Sequence, residues 1–134
     1  MRFRTYPSEI ETRLAGLVAR RVDNDDYTFV RVNPRERNVR VYRIAAGKRT
    51  QLAETHHLPM DEGAWHQATL VADGPRLTVL VDGVIVVTAA DDRPLRSGAA
   101  GIWTMPGSGV TFDALELEPA APVAASSGAT TGAK

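Results

Sequence analysis

The chain has no cysteine among its 134 residues, which removes disulfides, thiolate metal sites and thiol nucleophiles together. Any nucleophile here is oxygen or nitrogen. No apolar run approaches the roughly 18 residues that cross a bilayer as a helix. The opening Met1-Arg2-Phe3-Arg4-Thr5-Tyr6 carries no apolar segment of the secretory-signal kind. Helical periodicity with caps is missing over any stretch of about ten residues, and Arg93-Pro94-Leu95-Arg96 offers one short turn. A Ser/His/Asp order, a glycine-rich phosphate loop and a metalloprotease string are all absent. Net charge is zero, so no overall field draws the chain to nucleic acid or to a membrane surface, and neither is expected as a partner.

What is present is ordinary for one soluble globular domain, with 43% hydrophobic and 24% charged residues. Two Trp, three Tyr and three Phe, added to plentiful Val and Leu, suffice for a core, and a domain of this length hides about 68% of its unfolded surface. Charge is distributed unevenly. Residues 1 to 49 carry twelve Lys or Arg against six Asp or Glu, and residues 50 to 118 carry three against ten. A basic half suits phosphate or sulfated polymers, because clustered guanidinium groups grip anions by forked hydrogen bonds. The plainer reading is preferred: strands of one sheet display Arg, strands of another display carboxylates, and the two signs pair across the surface. The excess of Arg over Lys reads as codon composition.

From Pro119 to Lys134 the chain is Ala, Pro, Ser, Gly and Thr with one Val and one charge. Such a composition cannot bury enough surface to offset ordering entropy. It is expected to be a flexible tail or an interdomain linker, leaving residues 1 to 118 as the folded part.

Within that part the signals are of period two, bounded by turn residues at intervals of about ten. The clearest is Arg76-Leu77-Thr78-Val79-Leu80-Val81, then Asp82-Gly83, then Val84-Ile85-Val86-Val87-Thr88. Asp-Gly suits a two-residue type I′ turn, which needs positive φ at both central positions, so a tight antiparallel hairpin is expected. Both of its faces are apolar, which places it inside a two-layer structure with Leu77, Val79 and Val81 on one side and Leu80, Ile85 and Val87 covered elsewhere. Further strands are expected over 17–22, 27–32, 39–44, 49–54, 65–73, 101–104 and 110–118, separated by Asx, Pro and Gly turns. Eight or nine antiparallel strands imply a β-sandwich.

Specific strings then resemble the concanavalin A-like, or laminin G-like, jelly-roll domains. They are Ala15-Gly16-Leu17-Val18-Ala19-Arg20, Asp26-Tyr27-Thr28-Phe29-Val30-Arg31, Asn38-Val39-Arg40-Val41-Tyr42-Arg43 and Gly47-Lys48-Arg49. In the later half Gly63-Ala64-Trp65-His66, Val81-Asp82-Gly83, Ala100-Gly101-Ile102-Trp103-Thr104 and Val110-Thr111-Phe112-Asp113-Ala114-Leu115 follow in the order of the same family's closing strands. The resemblance extends to the domain of unknown function associated with 3-keto-disaccharide hydrolysis and to lectin, laminarinase and laminin G modules. It implies an all-β, antiparallel jelly-roll β-sandwich and an extracytoplasmic location. Such domains begin with strands upstream of the position of Phe3 to Tyr6, which reads as an interior strand. One or more N-terminal strands are therefore expected to be lacking, with an open N-terminal edge through which a dimer could form by strand addition.

Four sets of residues are candidates for chemistry. Glu116 and Glu118, with Asp113 near, share a face of the last expected strand, but the alternating carboxylates that laminarinase-type catalysis places about 5 Å apart are absent. With Leu115 and Leu117 turned to the core, both glutamates read as a solvated face. Asp23, Asp25 and Asp26 could offer hard oxygens to calcium, as laminin G modules do near strand ends, although Asx residues there also serve turn geometry. No other cofactor is expected. His56 and His57 are adjacent and, on an extended chain, point apart; Trp65 reads as a core anchor with His66 hydrogen-bonded locally. The fourth set is a ligand face of Arg20, Tyr27, Arg31, Arg40, Tyr42 and Arg43, distributed over one sheet and its rim. Aromatic rings stack on sugars and arginine forks hold hydroxyls or carboxylates; against this, Tyr27, Phe29 and Trp103 also fit a core with solvated arginines. The expected function is a noncatalytic carbohydrate-binding or interaction module, its partner a carbohydrate or other extracellular ligand. The alternatives are a hydrolase or lyase acting on a 3-keto glycoside, or a structural, oligomerising domain.

Overall fold

The computed structural model describes residues 1–6, 14–93, 98–104 and 109–118. The expected tail from Pro119 to Lys134 and most of the short turn after Arg93 lie outside the described residues. Ten strands follow in order: β1 Arg2–Tyr6, β2 Ala15–Asp23, β3 Asp26–Asn33, β4 Asn38–Ala45, β5 Lys48–Thr55, β6 Trp65–Asp73, β7 Arg76–Val81, β8 Val84–Ala90, β9 Ala99–Thr104 and β10 Gly109–Ala114. They form two five-stranded antiparallel sheets, ordered β10-β1-β6-β7-β8 and β5-β4-β3-β2-β9. The chain is an all-β sandwich of the jelly-roll type.

Alternation along the strands decides which side chains meet between the sheets. Phe3 of β1, Leu77, Val79 and Val81 of β7, Val30 and Val32 of β3, and Val39 and Val41 of β4 are buried together with Met60 in one core. Each such side chain contributes about 1.5–3 kcal/mol when fully buried. The hairpin of β7 and β8 forms as its Asp-Gly signal requires: Asp82 has φ 52° and Gly83 φ 83°, the two positive values of a type I′ turn.

Segregated charge resolves into pairs. Arg2 bonds Asp113, Arg40 bonds Glu54, and Arg43 bonds Asp91, each joining the basic first half of the chain to its acidic second half.

Three expectations need correction. The N-terminal strand is interior, but no edge is open beside it: β1 pairs with β10 on one side and β6 on the other, so the proposed dimer through that edge has no free ladder to use. The last strand stops at Ala114, short of the expected Glu118. Ala114 stands opposite Arg2, where β1 itself begins, so the β1–β10 ladder ends there. Without a ladder, Leu115 and Leu117 are 41% and 68% exposed rather than core. Finally, Trp65 is not a core anchor. It alternates with buried His66 on β6 and lies on the outer face, where the Arg2 guanidinium sits 4.1 Å from its ring centre.

Candidate ligand-binding face

The register of the β5-β4-β3-β2-β9 sheet places its outward side chains in rows. One row runs Trp103, Gly16, Arg31, Arg40, Glu54; the next holds Val18, Phe29, Tyr42 and Gln51; a third holds Tyr27, Ile44 and Arg49. Outward residues of a sheet are ordinarily wet, yet Phe29 and Tyr42 are only 6% and 3% exposed. They shelter one another. Phe29 stacks on Tyr42 with centroids 5.8 Å apart, meets Trp103 edge-on at 4.6 Å, and meets Tyr27 edge-on at 6.5 Å. Gly16 makes the cluster possible, since a Cβ there would come within 2.6 Å of Phe29 Cε1 and 3.1 Å of Trp103 Cε3.

Arginines ring this aromatic cluster. The Arg31 and Arg49 guanidinium carbons lie 5.9 and 4.9 Å from the Tyr42 ring centre, within cation–π range. Arg40 is held by Glu54, whose hydrogen bond is the main cause of its raised pKa. The same contact lowers the pKa of Glu54, which also accepts from His56 at 2.9 Å. Where β2 meets β9, Tyr27 and Trp103 border an open depression of about 480 Å³ with Val18, Gly101, Arg21 and Asn24 along it. Arg21 donates to the Asn24 side-chain oxygen, so a guanidinium and an amide present donors beside two aromatic rings.

Of the six residues expected on a ligand face, Tyr27, Arg31, Arg40 and Tyr42 come together here. Arg20 and Arg43 do not. Arg20 has φ 54° where the β2 ladder is irregular, and its guanidinium donates 2.8 Å to the Gly74 carbonyl of the opposite sheet's β6–β7 turn. Arg43 points inward and bonds Asp91, which is wholly buried, and Asp92 at 3.1 Å. Tyr42 is on the face but too covered to stack on a ligand. The residues that sequence reasoning missed are Arg21, Asn24, Arg49 and Trp103. Trp103 was legible as an apolar strand residue, and only the register of β9 against β2 shows it to face outward.

Two of the three carboxylates expected for calcium, those of Asp23 and Asp26, are engaged in turns. Asp23 Oδ1 accepts from the Asp25 amide at 2.8 Å, and Asp26 Oδ1 accepts from the Ala46 amide at 3.0 Å. Among the described residues no group of three or more His, Cys, Asp and Glu is placed to hold a metal ion. His56 and His57 follow β5 rather than extend it, and with His57 at φ 59° their rings lie 6.1 Å apart. Glu116 and Glu118 border a separate crevice of about 280 Å³ between the sheets, past the end of β10. His66 has a local partner, its Nε2 2.8 Å from the Asp61 carbonyl, and a distant one, its Nδ1 2.8 Å from Asp82 Oδ2.

No family model matches the chain, and no curated protein matches it in sequence. Among solved structures it is similar to the carbohydrate binding module CBM66 from Bacillus subtilis, with a TM-score of 0.66 and 19% identity over 83% of this chain and 67% of that one. That likeness shows the sandwich fold.

Proposed function

We propose that the chain is a noncatalytic carbohydrate-binding module whose ligand lies on the outer face of the β5-β4-β3-β2-β9 sheet. One observation carries the reading: Tyr27 and Trp103 flank a depression that also presents Arg21 and Asn24. Sugar rings offer apolar C–H faces and a rim of hydroxyls, and a site with aromatic walls and a few fixed polar groups complements both. The fold shared with a carbohydrate binding module supports it. Affinity then comes from stacking at the two rings, and orientation from the guanidinium and amide. Calorimetric titration with an oligosaccharide panel tests this. Tyr27→Ala and Trp103→Ala are expected to weaken binding about tenfold or more each, since burial and stacking of one ring are worth over 1.4 kcal/mol. Tyr27→Phe keeps the ring and should retain most of the affinity. Binding that survives both alanine variants would move the ligand off this face, and release of new reducing ends would make the protein a hydrolase.

A further inference from the structure

Charge on this face is left unbalanced. Arg31 and Arg40 stand directly opposite each other across β3 and β4, an arrangement of like charges that destabilises a sheet. Among the described residues the carboxylate that the register sets beside them, Glu54, is opposite Arg40 and bonded to it. Among the described residues neither Arg31 nor Arg49 is paired with a carboxylate, although both lie within 6 Å of the Tyr42 ring centre. The Nε of Arg31 is moreover buried with no hydrogen-bond partner. A buried donor left unsatisfied beside a like charge costs stability, and an anion bound beside these guanidiniums would offset that cost.

Resting on the carbohydrate-binding reading, we propose that the sugar recognised here is an acidic one, a uronate or a sulfated residue. Its anionic group sits between the Arg31 and Arg49 guanidiniums at the edge of Tyr42. Trp103 and Arg31 stand in one row two strands apart, about 10 Å, with side-chain-free Gly16 between them. A sugar stacked near Trp103 therefore has its own or its neighbour's anionic group within reach of Arg31. Guanidiniums suit this task because their planar fork binds carboxylate or sulfate by two parallel hydrogen bonds.

The test is calorimetric titration with paired probes: oligogalacturonates against their full methyl esters, and κ-carrageenan tetrasaccharides against the desulfated forms, which are neutral. At least one acidic member is expected to bind about tenfold tighter than its neutral twin. That advantage should shrink as NaCl rises from about 50 to about 500 mM. It should vanish in the Arg31→Gln, Arg49→Gln double variant, where the acidic member and its neutral twin should bind alike. Arg31→Gln alone should melt no lower than the wild type, because it relieves the contact with Arg40. Equal binding of the twins, an acidic preference that survives the double variant, or a marked loss of stability in Arg31→Gln would overturn the proposal while leaving the module reading intact. Failure of every oligosaccharide, acidic or neutral, would overturn both.

Discussion

His66 shows how one buried side chain ties three segments together. Its two ring nitrogens face the Asp82 carboxylate in the β7–β8 turn and the Asp61 carbonyl in the connection before β6, and the ring packs 5.8 Å from Phe3. Burial by itself disfavours the charged ring, but the bonds to Asp82 and Asp61 outweigh it and raise the pKa above the ordinary value of 6.5. The stability this contributes is therefore complete below about pH 6.5 and is lost as pH rises through the raised folded value. Melting temperature should fall over that window in the wild type, and in His66→Gln the same scan should be flatter. A wild-type melt that rises from pH 6 to 8 by way of this residue would contradict the assignment. Arg43 poses a different balance, because Asp91 is its wholly buried partner. Arg43→Met leaves an unpaired carboxylate in the interior and should cost about 3–5 kcal/mol in urea unfolding, whereas Arg43→Met with Asp91→Leu should recover most of it. The sequence marks neither role. Arg43 and Arg40 lie on one strand with the same chemistry, and only the parity of β4 against the core sends one inward and leaves the other on the face.

At the scale of elements, local chemistry made the strands readable. The Asp82-Gly83 hairpin was legible because positive φ at both positions admits few residues, and the valine-rich β3, β4 and β7 were legible from alternation. Strand ends that depend on a distant partner were not. Nothing local to Leu115 or Leu117 says that the ladder with β1 ends at Ala114, so the last strand read as longer than it is. Gly98 carries a similar long-range constraint: a Cβ there would lie 2.5 Å from both Arg20 C and Arg21 O. Both are backbone atoms, so the neighbour cannot swing aside. Gly98→Ala should cost about 1–3 kcal/mol as overpacking and displace β9, and with it Trp103, so that oligosaccharide affinity falls along with the melting temperature. A variant of unchanged stability and affinity would show that the entry into β9 yields freely.

For the whole molecule, the fold was visible in the sequence and the site only partly so. Patterning marks most of the strands and the apolar face of each, eight or nine expected where ten are seen, and from that a sandwich follows. A ligand face is assembled from residues on separate strands, and Trp103 meets Phe29 only because β9 lies beside β2 rather than beside its chain neighbour β10. The charge imbalance between the two halves had the same dependence on topology. Pairing of the two signs was the preferred reading, and the sheets supply such pairs by bringing Asp113 to Arg2 and Asp91 to Arg43.

The position of β1 also governs the order in which the molecule can be built. Arg2–Tyr6 is held between β6 and β10, and Phe3 stands opposite Phe112 near the far end of the folded chain. Of these ten strands the earliest made is thus among the last to be enclosed, and Phe3 waits uncovered until almost all the others have emerged. Such a long loop must close before its contacts stabilise anything, which places refolding in the slow, millisecond-to-second range of sandwich topologies.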